Sequence, residues 1–423
     1  MKRYNYLYFI IFFLLSCTND DKYFSESFDV LPDSKSYLRV DSILENSFLS
    51  IGDNDKIYTT NYVNNGNISL PTLNLDKKKL NKTSYKYSNK SIKAPFFIQP
   101  VIRNGVAYIA DVAGGLSAYD IKYDKILWQR NLINHDDIYN NLSGGITLDD
   151  NKLYIINGSH FLYAIDALNG EILWSVDIGF NARSKPFIYQ NRVIISRIDN
   201  YLISFNKING KRLWGVKYDD YIASLYQKNI PLARGNLLLN GNELGEIAIH
   251  DLNKGNILWK DNLSSSNISA EYHFSDIISS PLLHNNIVYA ISNNGFLSAY
   301  EIFSGSKLWE LRISSNKDLW FTENLIFLIN KEQNLVALSP NNGAIKWMVN
   351  LNKDKEEVSF YGPQLINKHV VISNNKGRLF LFNYNDGELL KTYKIPKNIN
   401  HFPIIADNKL FFVDNSSKFY ILD

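Results

Sequence analysis

The segment that decides the fold is Ala164-Ile165-Asp166-Ala167-Leu168-Asn169-Gly170-Glu171-Ile172-Leu173-Trp174, which has the spacing A-x-D-x-x-x-G-x-x-x-W. Five other tryptophans end segments of closely similar spacing, and a seventh copy, Leu381 to Lys391, has lysine in the tryptophan position. Successive copies are 46, 40, 45, 50, 38 and 44 residues apart, a mean of 263/6, or about 44. The six tryptophans are Trp128, Trp174, Trp214, Trp259, Trp309 and Trp347.

The residues before the motif predict antiparallel strands. An alternating run at 152–156 is followed by Asn157-Gly158 and by a second alternating run at 161–165, which is typical of a β-hairpin. The glycine before the tryptophan tolerates positive φ, so the chain can reverse there into a further strand. The aspartate of the motif can accept hydrogen bonds from the amides of the same turn. A period of about 44 residues is that of one four-stranded propeller blade.

These repeats predict an all-β fold, an eight-bladed β-propeller of four-stranded antiparallel blades. The C-terminal run Lys418–Asp423 matches 162–166 and stops at the aspartate of the motif, so this blade lacks its outer strand. The stretch Lys82–Ser88 lies one strand before the first inner strand, predicted at Ala94–Ile102. We therefore expect the N-terminal strand to close the eighth blade, with Tyr85 near the tryptophan position. A closed ring hides most sheet edges.

The repeated tryptophans are interpreted as packing residues that do not bind a ligand, because the same site recurs in almost every blade. The small residue at the alanine position leaves room between neighbouring sheets, which the indole fills. A large aromatic side chain buries about 150–250 Å², which corresponds to a gross hydrophobic stabilisation of roughly 4–6 kcal/mol before entropy is subtracted.

The N-terminus resembles a bacterial lipoprotein signal peptide. Met1-Lys2-Arg3 is basic, Tyr6–Leu15 is apolar, and Ser16-Cys17 follows; the apolar run is too short for a transmembrane helix. We predict a signal peptide at 1–16, a lipidated and partly disordered tether at 17–81 beginning with Cys17, and the propeller at 82–423. Thr18 after the cysteine favours the outer membrane. An ordinary signal peptide is the alternative.

Composition excludes several classes of function. Lysine and arginine number 45 against 42 acidic residues, a net charge of +3, and no basic, aromatic-rich face indicates nucleic acid. The seven histidines have no partner at metal-ligand spacing, and neither a nucleophile elbow nor a phosphate-binding loop is present. We therefore predict no catalytic residue, no metal and no cofactor, although an active site assembled from several blades would not be visible in the sequence.

The tryptophan motif, over about residues 82–423, resembles that of quinoprotein-type eight-bladed propellers. One branch contains dehydrogenases that depend on pyrroloquinoline quinone; that resemblance implies a disulfide between adjacent cysteines and Glu, Asn and Asp ligands for calcium. This chain has one cysteine, Cys17. In signal, length and blade closure it is more similar to the other branch, the outer-membrane lipoproteins of the β-barrel assembly machinery. A periplasmic quinoprotein dehydrogenase or a small-ligand-binding propeller stays open as the alternative.

The second resemblance implies a non-enzymatic scaffold, held by its lipid anchor at the periplasmic face of the outer membrane. It implies docking on periplasmic domains of the central barrel protein, help in folding and inserting outer-membrane proteins, and contact with unfolded clients. Two docking loops are implied. The first matches 178–186, with Phe180 and Arg183. The second matches 274–281, with Asp276, and has Ile278 where a second acid is expected.

Overall fold

The computed structural model describes fourteen ranges of the chain and contains no α-helix within them, so no helix there is long and apolar enough to span a membrane. The signal peptide, Cys17 and residues 18–79 lie outside the described part. The described ranges are 80–86, for which the backbone is described, 98–110, 114–132, 144–156, 160–182, 184–219, 229–264, 276–322, 324–352, 357–366, 369–399, 401–406, 409–414 and 418–422.

The described strands form eight four-stranded antiparallel sheets, which confirms the predicted eight-bladed β-propeller. Within each of blades 1 to 7 the strands pair in chain order, from the first, inner strand to the fourth, outer strand. Blade 1 comprises β2 (Val101–Arg103), β3 (Val106–Ala110), β4 (Gly115–Asp120) and β5 (Lys125–Asn131), and blade 2 comprises β6 (Gly145–Asp149), β7 (Lys152–Ile156), β8 (Phe161–Asp166) and β9 (Ile172–Asp177). Blade 3 comprises β10 (Phe187–Tyr189), β11 (Arg192–Ser196), β12 (Tyr201–Asn206) and β13 (Arg212–Lys217), and blade 4 comprises β14 (Leu232–Arg234), β15 (Leu237–Gly241), β16 (Glu246–Asp251) and β17 (Ile257–Asn262).

The second half of the ring repeats this order, except that the last blade takes its outer strand from the N-terminal side of the ring. Blade 5 comprises β18 (Leu282–His284), β19 (Ile287–Ile291), β20 (Leu297–Glu301) and β21 (Lys307–Leu311), and blade 6 comprises β22 (Trp320–Phe321), β23 (Ile326–Ile329), β24 (Asn334–Leu338) and β25 (Ile345–Asn350). Blade 7 comprises β26 (Phe360–Ile366), β27 (His369–Asn374), β28 (Arg378–Asn383) and β29 (Leu389–Lys394). Blade 8 comprises β30 (Ile404–Ala406), β31 (Lys409–Val413) and β32 (Lys418–Leu422), and its outer strand is β1 (Leu80–Lys86).

Blade 8 is closed by the N-terminal strand, as the sequence predicted, but Tyr85 is not at the tryptophan position: Asn81 lies opposite Ile421, the residue that matches Ala164. Strand β1 runs antiparallel to β32, with Leu80 opposite Leu422 and Lys82 opposite Tyr420. The closing strand starts two residues earlier than the predicted 82–88. The first inner strand is shorter than the predicted 94–102: β2 begins at Val101, directly after Pro100, because proline has no N–H for a sheet hydrogen bond.

The motif forms a hairpin with a β-bulge between the third and fourth strands. Ala164 lies opposite Trp174, but Ile165 lies opposite Ile172, so Leu173 is the additional residue. The same shift occurs at the motif of each of blades 1 to 7. In the turn, the amide of Leu168 donates to the Asp166 carboxylate (2.8 Å), as the sequence predicted.

The motif glycine brings the next blade against the indole. Gly170 has φ of +73°, and a Cβ added there would lie 2.6 Å from Cε3 of Trp128 in the preceding blade. The sequence predicted the positive φ of Gly170 but not its close approach to Trp128. The same contact joins the other motif glycines and tryptophans: Gly210 and Trp174, Gly255 and Trp214, Gly305 and Trp259, Gly343 and Trp309, and Gly387 and Trp347.

The hydrophobic core consists of layers between adjacent blades. Trp128, for example, packs with Tyr108 and Leu116 of its own blade and with Leu153 of the next. The layers that involve blade 8 contain no repeat tryptophan among their described residues and depend on other side chains. Phe411 and Phe419 pack against Tyr119 of blade 1, so phenylalanines fill the layer where the ring closes.

The meander gives the ring two different faces. Because successive strands alternate in direction, turns between first and second strands and between third and fourth strands lie on one face, here called the motif face. Turns between second and third strands, and the connections between blades, lie on the other, here called the loop face. Both predicted docking loops are connections between blades, so both lie on the loop face.

Candidate functional site

Phe180 is an exposed aromatic residue on the loop face, in the connection from β9 to β10. Its side chain is 54% exposed. The turn that presents it is fixed by Gly179, which has φ of +81° and whose amide donates to the Asp177 carboxylate (2.7 Å). Ala182 in the same loop forms a β-bridge with Arg197, in the turn between β11 and β12. This bridge holds the loop against blade 3.

Arg197 supports Phe180 from below. Its guanidinium carbon lies 5.0 Å from the centre of the Phe180 ring and 4.7 Å from that of Tyr201. Its Nε donates to Asp199 (2.8 Å), Nη2 donates to the other oxygen of the same carboxylate, and Nη1 donates to the carbonyl of Ile178 (2.7 Å). A guanidinium with this many partners is rigid, so the Phe180 ring rests on a fixed platform.

The structure provides a cation beside Phe180 that sequence reasoning missed. Arg183, the predicted arginine, lies outside the described residues. Arg197 is fourteen positions further along the chain and reaches Phe180 through the bridge to Ala182. The only signal in the sequence is the turn Arg197-Ile198-Asp199, which spaces an arginine and a carboxylate for a local ion pair; nothing in it indicates the contact with Phe180.

Asp276 lies in the second predicted docking loop, before β18, and is buried, with an exposed fraction of 3%. Its carbonyl accepts a hydrogen bond from the amide of Asn293 (2.9 Å), and the neighbouring Ile277 amide donates to the carbonyl of Asn242 (3.0 Å). Ile278, at the position where an acid was expected, is also buried, at 4%. The Asp276 side chain is therefore buried and is not an exposed charge on the loop face.

A polar pocket on the loop face lies between the two predicted loops. It is lined by Arg197 and Tyr201 of blade 3, by Asn242 and Glu243 of blade 4, and by Asp276. The Phe180 platform and the Asp276 loop thus border one concave surface that extends over blades 3, 4 and 5. Sequence reasoning identified one residue on each side of it, but did not identify Glu243 or Asn242, which lie in a turn of blade 4.

A buried hydrogen-bond network lies behind this pocket. The hydroxyl of Tyr218 is 2.5 Å from Nε2 of His250, whose Nδ1 is 2.8 Å from the carbonyl oxygen of Gly255. A carbonyl can only accept, so Nδ1 carries the proton and Nε2 accepts from Tyr218. Asn240 donates to the same hydroxyl (3.2 Å). Burial lowers the pKa of His250, against the opposite effect of the Gly255 carbonyl.

Near the axis of the ring, connections from several blades contribute charged side chains. Ser280 donates its amide to the Asp318 carboxylate (2.8 Å), and its hydroxyl accepts from the amide of Ile230 (3.2 Å). Burial raises the pKa of Asp318, although Ser280, Lys185 and Lys317 act in the opposite direction. Burial lowers the pKa of Lys185, against the charge of Asp318. These contacts link blades 4, 5 and 6 around the axis.

The chain lacks one feature that the resemblance to the quinoprotein dehydrogenases implies for their cofactor site. Within the described part of the chain, no group of three or more His, Cys, Asp or Glu side chains could hold a metal ion. The complete sequence has one cysteine, so the disulfide between adjacent cysteines that the resemblance implies cannot form within this chain.

Comparisons with known proteins agree with the predicted family. The model of the family described as "Outer membrane protein assembly factor BamB" matches residues 112–349 and 334–423. The BamB proteins of Moranella endobia and Escherichia coli K12 are each 25% identical over 319 residues, which cover 74% of this chain and 81% of theirs. An uncharacterised protein of Rickettsia conorii is 25% identical over 397 residues, covering 89% of this chain and 93% of its own.

Solved structures show the same fold. BamB from Moraxella catarrhalis superimposes with a TM-score of 0.69 at 20% identity, over 82% of this chain and 100% of its own. A quinohemoprotein alcohol dehydrogenase from Pseudomonas putida gives a TM-score of 0.62 at 13% identity, over 81% of this chain and 75% of its own. Since the family model matches more than half of the sequence, this chain belongs to the BamB family of outer membrane protein assembly factors.

Proposed function

We propose that this chain is a non-enzymatic scaffold of the outer-membrane β-barrel assembly complex. In this role it docks through its loop face on periplasmic domains of the central barrel protein, and it assists the folding and insertion of outer-membrane proteins. Family membership supports the general role. The observation that carries the docking assignment is the Phe180 ring, 54% exposed, on the rigid Arg197 platform.

The geometry of this platform suits an interface. Exposed aromatic residues and arginines are frequent binding hot spots, and side chains that are ordered before binding lose less entropy. Phe180 already rests on a guanidinium held by Asp199 and Ile178. Arg183, in the same loop, and Asp276, in the wall of the adjoining pocket, are the other proposed docking residues.

Lipid attachment at Cys17 completes the proposal. Cleavage before this residue would leave a thiol for acyl chains, and two or more chains hold a protein stably at a membrane. The tether of residues 18–79 would then connect the periplasmic face of the outer membrane to β1 at the rim of blade 8. Replacement of Cys17 with alanine should release the protein from the membrane fraction while the ring stays folded.

A dehydrogenase function is the less supported alternative. The resemblance to quinohemoprotein enzymes is one of fold, at 13% identity. The described residues provide no group of three or more His, Cys, Asp or Glu side chains that could hold a metal ion, and the chain cannot form the paired-cysteine disulfide. Titration of the purified protein with pyrroloquinoline quinone and calcium tests this alternative: saturable binding would favour it.

Docking is tested by affinity for the purified periplasmic region of the central barrel protein. Phe180→Ala should weaken binding by roughly thirtyfold, which corresponds to about 2 kcal/mol for a hot-spot residue. Phe303→Ala is the matched control, because Phe303 is also an exposed aromatic residue (66%) but lies in a turn on the motif face. Equal affinities of the two variants would reject the docking assignment.

A further inference from the structure

Four turns on the motif face carry an apolar side chain that is exposed to solvent. Leu168, Ile208 and Phe303 lie in the motif turns of blades 2, 3 and 5, with exposed fractions of 72%, 66% and 66%, and Tyr123 lies in that of blade 1, at 64%. A single exposed apolar residue needs no explanation, but several in equivalent turns of one face indicate a contact surface. These four residues are here called the apolar tips.

The turn does not require an apolar residue at this position. The equivalent residues of blades 4, 6 and 7 are asparagines that are also exposed: Asn253, Asn341 and Asn385. The backbone is held by the residue two positions earlier, since the amide of Leu168 donates to Asp166 (2.8 Å) and that of Phe303 donates to Glu301 (3.0 Å). The fold therefore presents the apolar tips on ordered turns without using them for its own packing.

The N-terminal segment enters the ring on the same face. β32 is the third strand of blade 8, so it ends at the motif face, and Leu80, the first residue of β1, lies opposite Leu422 at that end. Blade 8 packs against blade 1, which carries Tyr123. The chain that joins the proposed lipid anchor to the ring thus arrives beside the arc of blades 1 to 3, at the opposite end of the strands from Phe180.

Basic side chains accompany two of the apolar tips. The Nζ atoms of Lys122 and Lys125 lie 5.0 and 5.7 Å from the centre of the Tyr123 ring, and Lys211 follows Ile208 in the turn of blade 3. Aromatic and aliphatic side chains next to lysines suit the interface of a phospholipid bilayer, because the apolar part enters between the headgroups while the ammonium reaches the phosphates.

Net charge contributes little to this surface. The motif segments of blades 1 to 3, residues 120–128, 166–174 and 206–214, contain five basic and four acidic residues. A contact with a bilayer therefore depends on burial of the apolar tips and only weakly on attraction to anionic lipid.

We propose that the apolar tips insert into the headgroup region of the membrane that carries the lipid anchor. This inference rests on the anchoring at Cys17 proposed above. The anchor keeps the ring near the bilayer, so a contact that is weak for the free protein acts at a high effective concentration. With the motif face on the bilayer, the loop face stays accessible to the periplasmic domains of the central barrel protein.

The first test measures the binding of unanchored protein to vesicles of phosphatidylcholine with a minor share of phosphatidylglycerol. In the Cys17→Ala protein, the double change Leu168→Ser/Phe303→Ser should lower the partition coefficient by about tenfold or more, because two apolar side chains no longer leave water. Phe180→Ser removes an exposed aromatic residue from the loop face and is the matched control, expected to bind like the parent. Circular dichroism verifies folding.

The contact without acyl chains is reversible, so it is detected with an excess of vesicles and does not retain the Cys17→Ala protein during cell fractionation. Raising the salt concentration to about 1 M, where the Debye length is about 3 Å, should change the partition coefficient by less than about twofold. Loss of binding at high salt, or equal binding of the double variant and the parent, would overturn the inference.

The second test locates the contact. Cys17 is the only cysteine of the chain, so Leu168→Cys, Phe303→Cys or Phe180→Cys in the Cys17→Ala background provides one site for an environment-sensitive nitrobenzoxadiazole label. Vesicles should increase the emission and shift it to shorter wavelength at positions 168 and 303, and leave position 180 unchanged. No change at 168 and 303, or an equal change at 180, would contradict the proposal.

Other occupants of this face would give different results. An emission change without vesicles that grows with protein concentration would assign the apolar tips to a second copy of the chain. A change with an unfolded outer-membrane protein but not with vesicles would assign them to a client. Either result overturns the bilayer contact. Because every variant lacks Cys17, failure of the anchoring proposal, or of docking through Phe180, leaves these measurements decisive.

Discussion

The indole nitrogen of Trp128 donates a 3.0 Å hydrogen bond to the carbonyl oxygen of Ala167, the residue after the motif aspartate of the next blade. The same bond recurs at the other five repeat tryptophans, with lengths of 2.7–3.2 Å. One side chain thus joins two consecutive blades by packing and by a directed bond. This explains why a tryptophan, and not another large apolar residue, occupies the position.

Trp128→Ala should therefore destabilise the ring by about 3–5 kcal/mol, since Trp128 is 9% exposed and its removal leaves a cavity. Trp128→Phe should cost less, because much of the packing remains and mainly the bond to Ala167 is lost, which corresponds to about 1 kcal/mol. Urea denaturation measures both. A Trp128→Ala variant of parental stability would show that the indole does not join the blades.

Gly170→Ala should be more destabilising than Gly105→Ala. Both glycines have nearly equal φ, +73° and +74°, but a Cβ at Gly170 would lie 2.6 Å from Trp128, whereas nothing lies within 4 Å at Gly105. Both variants should lose about 1–2 kcal/mol from the left-handed backbone, and Gly170→Ala a further 1–3 kcal/mol or so from overpacking. Equal losses would contradict the inter-blade contact. The additional loss should disappear in the Trp128→Ala background.

These contacts show how far the sequence could predict the fold. The motif residues act within one repeat, so Asp166 and Gly170 could be assigned to their turn from spacing and backbone preference. The closing strand was predictable because the last repeat in the sequence provides only three of the four strands of a blade. Contacts between repeats, such as that of Gly170 with Trp128, could not be predicted, because spacing does not reveal which atoms meet when two blades pack.

The candidate site was less predictable for the same reason. Phe180 was identified through resemblance and is exposed on the loop face. Arg197, Asn229 and Glu243 come from three different connections or turns, and only the closed ring brings them to one surface. Asp276 was assigned to a docking loop through resemblance, but its burial depends on packing against the Asn242 turn, which the sequence did not reveal.

Stability should fall as the pH falls below about 6.5, partly because of His250. Burial lowers the pKa of this histidine in the folded protein. Between the folded and the unfolded pKa, the unfolded chain therefore binds more protons than the folded protein, and acidification shifts the equilibrium towards the unfolded state. If His250 stays neutral in the folded protein, its contribution lowers the free energy of unfolding by at most about 1.4 kcal/mol between pH 7.5 and pH 5.5.

Urea denaturation at both pH values, for the parent and for His250→Gln, checks this expectation. The variant is less stable at both, because the bonds to Tyr218 and Gly255 change, but its difference between the two pH values should be smaller than that of the parent. Burial also lowers the pKa values of His284 and His401, so the variant should retain part of the pH dependence of stability. An unchanged difference would exclude His250 as a source.

Closure should depend on β1. Removal of residues 18–90 deletes the partner of β32 and exposes a sheet edge, so we expect aggregation or loss of cooperative unfolding. Removal of residues 18–50 leaves β1 in place and should be tolerated. Size-exclusion chromatography and thermal unfolding compare the two truncations. Equal behaviour would indicate that β32 does not need its N-terminal partner.

The central claim, docking through the loop face, is tested most directly by photo-crosslinking in the cell envelope. A benzophenone amino acid is placed at Phe180 in one variant and at Phe303, on the motif face, in another. We predict that irradiation links position 180 to the central barrel protein, with no link above background from position 303. A link from position 303 without one from position 180 would contradict the account.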